Sequence, residues 1–317
     1  MIRSRIAAAL LAGLALCAPA SAQEEDPALS PLVEALEVVA KPPGPALWRV
    51  SQGQSEVVIV GTVSPIAHQQ TWDSRRVEKA LAGARLVLTP AEPKTGPIVL
   101  AALLLRDAPR LRVAAGSTLE SRLPPAVAGR FAADREVARQ KADRYDRWKP
   151  GAAGFMLLGD YDKAAGLSRA KPAQSIARMA KAAGVKTRPM GDVELGPLIK
   201  QAGKLDDAAH QVCLEVALGE LERLAPDPRA IGRAWSVGDL RTLSRIYRPS
   251  AIEPCLSQTT AGPALLAKQI AAASSAVQAA LKTPGKTVAL IDLSLLLRPG
   301  GVLDRVAAQG ATVTVPD

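Results

Sequence analysis

Ser64 and His68 are the first residues in this chain whose types and spacing could do chemistry: a hydroxyl and an imidazole four positions apart, a possible nucleophile and base. They share a polar loop with Pro65 and have no oxyanion-hole signature beside them, so a solvated or hydrogen-bonded His68 is the simpler expectation. The carboxylate pairs Asp160 with Asp162, and Asp192 with Glu194, alternate as solvated loops do. His210 lies in a charged helical stretch with Asp206, Asp207 and Glu215, and is expected at the surface. No HExxH, CxxC pair or Cys/His cluster is present, so spacing alone gives no metal site. Gly300-Gly301 follows Pro299 and precedes a helical pattern, which fits a turn and helix cap; a phosphate cradle would want Gly-x-x-x-x-Gly-Lys. Trp72 and Trp235 are expected as core anchors.

The elements that must position these residues follow from patterning. Residues 47–72 read as a β-hairpin whose second strand, the β-branched run 57–60, ends at Gly61-Thr62 and opens into the loop that carries Ser64. Asp73-Ser74 caps a short helix through Arg76, Val77, Ala80 and Leu81, and 85–88 is the next strand. From about Gly96 to Leu281 helical patterning dominates, over 98–105, 128–145, 152–157, 172–183, 207–224 and 264–281. In the last of these Leu266, Ile270, Ala273, Val277 and Leu281 form a core-facing stripe. A short strand is expected at 185–188. The chain closes with a strand at 287–291, the loop Asp292-Leu293-Ser294, a helix at 302–309 and a strand at 311–315. The expected fold is α/β: a mixed β-sheet built from the N- and C-terminal segments, with a large helical middle section.

The opening Leu47-Trp48, hairpin and Gly61-Thr62 resemble the start of the TraB/GumN family, also called TraB/PrgY or Tiki-like, whose members continue with Gly-Thr-x-His. Further segments are similar: Trp148-Lys149-Pro150, 181–185, the Trp235 to Asp239 segment, and 288–313, where Gly301 and Gly310 keep the family spacing. The resemblance runs from about Ala46 to the C-terminus. It implies a metal-dependent hydrolase in which histidine, acidic and arginine side chains converge at strand ends and hold a divalent ion. This chain departs from that pattern. Ser64 replaces the first histidine, Thr89 stands where a glutamate is expected, Gly191 with Asp192 beside it replaces the central glutamate, and Asp292-Leu293-Ser294 carries no histidine. The resemblance therefore implies a degenerate pocket at Gly61, Thr62, Ser64, Thr89, Gly191, Asp292 and Ser294, with no catalytic residues, metal or cofactor.

Composition sets the remaining bounds. Residues 1–22 combine Arg3 and Arg5, an apolar run and Ala20-Ser21-Ala22, which reads as a cleavable export signal; Leu16 before Cys17 argues against lipidation. Residues 23–45 read as an acidic, then Pro/Gly-rich linker, and 46–317 as one domain. No transmembrane segment is expected after signal cleavage, which leaves 38 Lys and Arg of 40 against 30 acids. These basic charges are scattered and aromatics make up 3%, so nucleic-acid binding is not expected; looser attraction to anionic lipid or polysaccharide is compatible. Cys213 in a helix and Cys255 in a Pro-flanked loop are expected to bridge in an oxidising compartment, with two buried free thiols as the alternative.

The resulting expectation is a periplasmic or secreted cell-envelope protein that binds an envelope protein or polysaccharide without turnover. The alternative is a divergent periplasmic hydrolase of peptide or polysaccharide, with Asp292, Glu92, Asp192 or His68 as replacement groups. The two differ in whether those side chains converge at the strand ends.

Overall fold

A computed structural model describes residues 44–316, apart from 95, 115, 260 and 261. The export signal and nearly all of the linker lie outside the described residues. The hairpin appears as β1 (Leu47–Gln52) and β2 (Ser55–Thr62), followed by a short β3 (Ile66–Ala67), α1 (Arg75–Leu81), β4 (Ala84–Thr89) and β5 (Glu92–Pro93). The helical middle contains α2 (Pro97–Asp107), α3 (Pro125–Val137), α4 (Pro150–Ala164), the short β6 (Leu167–Ser168) and α5 (Ala173–Ala182). It continues through β7 (Thr187–Pro189), β8 (Asp192–Val193), α6 (Leu195–Ala202), α7 (Asp207–Leu224), α8 (Ala230–Ser236), α9 (Leu240–Ile246), α10 (Ile252–Leu256) and α11 (Gly262–Leu281). Then come β9 (Gly285–Asp292), α12 (Leu293–Leu296), α13 (Val302–Ala308) and β10 (Thr312–Thr314).

The main sheet has the order β10-β1-β2-β9-β4-β7, and its strands do come from both ends of the chain. Only β1 runs against the others. The run Val57, Val58, Ile59, Val60 is buried throughout, as a central strand covered on both faces must be. Its parallel partner β9 is equally apolar, with Val58 opposite Val288 and Val60 opposite Leu290. This pairing places Thr62 beside Asp292 at the carboxyl ends of the two strands. Thr89 ends β4 at the same edge, where its register partner is Pro189. Gly61 is required by packing, because a Cβ there would come within 2.5 Å of Leu293 Cδ2 and 2.6 Å of Trp48 Cζ3. Trp235 is a core anchor as expected: it is buried, donates from Nε1 to the Gly61 carbonyl at 2.8 Å and meets Trp72 edge-on at 5.2 Å.

Several expectations need correction. The helix expected over 128–145 stops at Val137, because Arg139 takes a left-handed conformation (φ 56°); a 3-10 turn, Ala142–Tyr145, follows. Pro150 begins a longer helix than expected, since a proline at the first helical position gives up an N–H that has no partner there. Asp160 and Asp162 lie on that helix and are both bonded: Asp160 to Tyr145 and Arg144, Asp162 to Arg169. Cys255 lies in the short helix α10, and Cys213 of α7 is bonded to it.

His210 is also placed differently. It is 1% exposed, facing α4 where Gly151 and Gly154 let α7 approach closely; a Cβ on Gly151 would lie 3.1 Å from His210 Nδ1. The charged residues around it follow the outer face of α7, whereas His210 shares the inner face with Cys213, Leu214 and Ala217. Neither ring nitrogen has a hydrogen-bond partner. Burial, assisted by Lys149, pushes its pKa down from 6.5 to about 4, while Asp207 and Asp206 oppose the shift. Between these values the unfolded chain binds the proton and the native chain does not. Stability is therefore full above about pH 6.5 and is lost as the pH falls towards 4, by up to roughly 3 kcal/mol. Thermal melts of the protein and of His210→Leu should show the difference in Tm shrinking or reversing in favour of the variant over this window. Parallel pH profiles would refute the assignment.

Candidate functional site

The carboxyl ends of β2, β9, β4 and β7 open into a cavity of about 550 Å³. Open parallel sheets leave their crevices at this edge. Thr62, Ser64, Thr89 and Asp292 line it, which brings together four of the sequence-derived positions. Arg169 to Gln174 and Ala177, leading into and along α5, form one wall; Gln269, Ala272 and Ala273 of α11 form another. Glu92, Pro93 and Val193, from the small β5–β8 pair, complete the rim. Gly191 lies behind this rim, where a Cβ would come 3.2 Å from that of Ala272. Ser294 faces an adjoining cavity of about 280 Å³, which shares Ser64, Gln269, Asp292 and Leu295 with the first. Gly61 contributes packing and its carbonyl, and does not line the cavity.

Asp292 is the carboxylate at the strand ends, and both its oxygens are engaged. The Tyr247 hydroxyl donates to Oδ2 at 2.7 Å, while the Ser294 N–H and hydroxyl donate to Oδ1 at 2.8 and 2.7 Å. Asp292 is thus the N-cap of α12. Burial raises its pKa, against the opposing hydrogen bonds from Ser294 and Tyr247. Burial also holds the Tyr247 hydroxyl well above its usual range, with Asp292 adding to the effect and the Ser64 backbone opposing it. Tyr247 lies far from Asp292 in sequence, in a segment with no motif of its own.

The cavity also contains groups that sequence reasoning missed. Arg169 joins Asp162 at 2.5 Å and Glu220 at 2.6 Å, and the second Glu220 oxygen accepts from the Ala251 N–H at 2.5 Å. Both carboxylate residues are buried. Burial raises the Asp162 pKa, and the Arg169 guanidinium opposes this. The Thr89 hydroxyl is buried at the cavity wall without a hydrogen-bond partner, so a polar group of a ligand could satisfy it. Of the proposed replacement groups, Glu92 shares the cavity lining with Asp292, whereas Asp192 and His68 do not line it. Glu92 is exposed at the rim, Asp192 is exposed beside it in the β5–β8 pair, and His68 is exposed, with its carbonyl accepting from Lys171 Nζ.

A family model described as TraB/PrgY/gumN matches residues 46–315. The chain belongs to the TraB/PrgY/gumN family. No curated protein and no solved structure matches it. Within this TraB/PrgY/gumN domain, the donor set does not fit the divalent ion that the sequence resemblance implied. Among the described residues no three His, Cys, Asp or Glu side chains are grouped to hold a metal. At the strand ends Asp292 already accepts from three donors, the neighbouring Ser64 and Thr89 offer only neutral hydroxyls, and the cavity's other carboxylate, Glu92, is exposed at the rim.

Proposed function

We propose that this TraB/PrgY/gumN protein is an exported, catalytically degenerate binding or regulatory protein of the cell envelope, which holds a ligand in the strand-end cavity without turning it over. The observation that carries this reading is the fixed state of Asp292. A general base or ligand needs a free lone pair directed at its target, and here three hydrogen bonds from Tyr247 and Ser294 hold both oxygens and leave one lone pair, on Oδ2. Export is supported by the residue pattern of the first 22 positions and by the disulfide.

The cavity wall favours an aliphatic ligand segment over a sugar. Val63, Pro90, Ala91, Met190, Leu290 and Leu295 supply apolar surface, and among the described residues no aromatic side chain lines this cavity for a pyranose ring to stack on, Tyr247 facing the adjoining one. Aliphatic side chains of an extended peptide fit this lining, with Thr89, Gln174 and Gln269 available to backbone groups. An envelope protein is therefore preferred to a polysaccharide as the partner.

Two substitutions test the reading. Asp292→Asn should fold at a cost of about 1–3 kcal/mol from the altered hydrogen bonds and retain its envelope phenotype when abundance is matched. Ala177→Phe, which projects a ring into the cavity, should abolish the phenotype at normal abundance. Thermal stability, protein level and phenotype are measured together. A folded, abundant Asp292→Asn protein without function would favour the divergent hydrolase instead.

A further inference from the structure

Among the described residues, exposed large apolar side chains mostly occur singly, but Ile98, Val99 and Leu105 share α2 and are 84%, 53% and 77% exposed. Ala101 and Ala102 are exposed between them. At about 3.6 residues per turn, positions 98, 101, 102 and 105 fall on one stripe, so the helix presents a continuous apolar face to solvent.

The flank at the C-terminal end of this face is basic, while the exposed Glu92, Asp192 and Glu194 lie towards its N-terminal end, where Glu194 pairs with Lys94. Arg106 and Arg110 have side chains 64% and 52% exposed, and the one carboxylate between them, Asp107, is buried beneath both. Helix α6 packs against α2. Its C-terminal end meets Arg110, whose Cβ would lie 2.9 Å from a Cβ on Gly203. That contact brings the exposed Lys200 and Lys204 into the same neighbourhood. The combination is an apolar helical face bordered at one end by the exposed Lys200 and Lys204 and by two part-exposed arginines that share the buried Asp107.

We propose that α2 docks this protein onto an anionic phospholipid bilayer, lying in the interface with Ile98 and Leu105 among the upper acyl carbons and the basic flank on lipid phosphates. Apolar burial and headgroup attraction are the two contributions that hold interfacial helices. A second copy of the chain is a poorer occupant, since a two-fold contact through this face would bring two basic borders together. The position within the fold adds a consequence: Glu92 and Pro93 line the cavity rim, and Pro97 opens α2 shortly afterwards in the chain, so docking holds the cavity close to the membrane surface.

The test is co-sedimentation of residues 23–317, the form left by signal cleavage, with vesicles of phosphatidylcholine alone or mixed with phosphatidylglycerol. Binding is expected to the mixed vesicles and to weaken with salt. Ile98→Ser with Leu105→Ser should reduce it about tenfold or more. Lys200→Gln and Lys204→Gln should each reduce it about fivefold and flatten the salt dependence. Circular dichroism checks that the variants are folded, and an Ile98→Trp reporter should shift to the blue on binding. Vesicle binding that is unchanged by the Ile98→Ser, Leu105→Ser pair, or a concentration-dependent dimer that is lost in that pair without vesicle binding, would overturn the proposal. So would binding that appears only when the chain begins at Gly44, because residues 23–43 would then be the occupant of this face.

Discussion

Arg169→Ala is expected to cost about 3–5 kcal/mol, because it leaves two buried carboxylates facing each other without their shared cation. Asp162 and Glu220 have side chains 10% and 7% exposed, and Arg169 itself is 30% exposed, so water can replace the guanidinium only in part. Loss of that charge also raises the Asp162 carboxyl pKa in the native state, where Arg169 now opposes the effect of burial. The native variant then binds protons more readily than its unfolded chain, and stability is partly restored as the pH falls. Urea unfolding at neutral and mildly acidic pH should show both effects. A triple replacement, Arg169→Met with Asp162→Leu and Glu220→Met, should recover much of the loss, since a buried ion network can often be exchanged for well-packed apolar groups. A single Arg169→Ala variant as stable as the parent at neutral pH would show that the network is solvated in solution.

The bridge between Cys213 and Cys255 gives the second large effect. It closes a loop with a sequence separation of 42, for which restriction of the unfolded chain contributes roughly 4 kcal/mol. Cys213→Ala with Cys255→Ala should therefore lower the denaturant midpoint markedly, against a total stability of about 5–15 kcal/mol for an ordinary domain. The same shift should appear when reductant is added to the parent protein and should be absent in the double variant. Thiol labelling of the protein under denaturing, non-reducing conditions should find neither cysteine free; two labelled thiols per chain would show that the bridge does not form.

The parts of the fold that were legible in sequence are those governed by local periodicity. The run 57–60 and the strand ending at Asp292 are uninterrupted apolar segments bounded by turn residues, and both became central strands. The stripe from Ile270 to Leu281 on α11 is buried as its spacing indicated, with Leu266 half-buried at its start. Thr62, Ser64, Thr89 and Asp292, which the family's short motifs single out, line one cavity, because strand ends in a parallel sheet lie side by side whatever their separation in the chain. What stayed hidden depends on pairing between distant segments. Tyr247 is recognisable as a partner of Asp292 only after α9 has been placed, and Glu220 reads as one more acid on a charged helix until Arg169 packs against it. His210 was misplaced for a related reason: charges on neighbouring positions of an α-helix say little about the face one-third of a turn away.

The order of strands in the sheet also determines when the protein can fold. β9 lies between β2 and β4, and β10 covers the free edge of β1, yet both are made last. Until the final segment of the chain is available, β2 has no neighbour on its inner side and β4 has none that joins it to the hairpin. The central pairing links residues near opposite ends of the domain, such as Val57 with Thr287, a separation that makes closure slow. A nascent chain therefore emerges with its helices able to form but its sheet incomplete, a state that can still be threaded through a narrow channel and can also be captured by chaperones or proteases. Truncation before Gly285 would leave it in that state permanently.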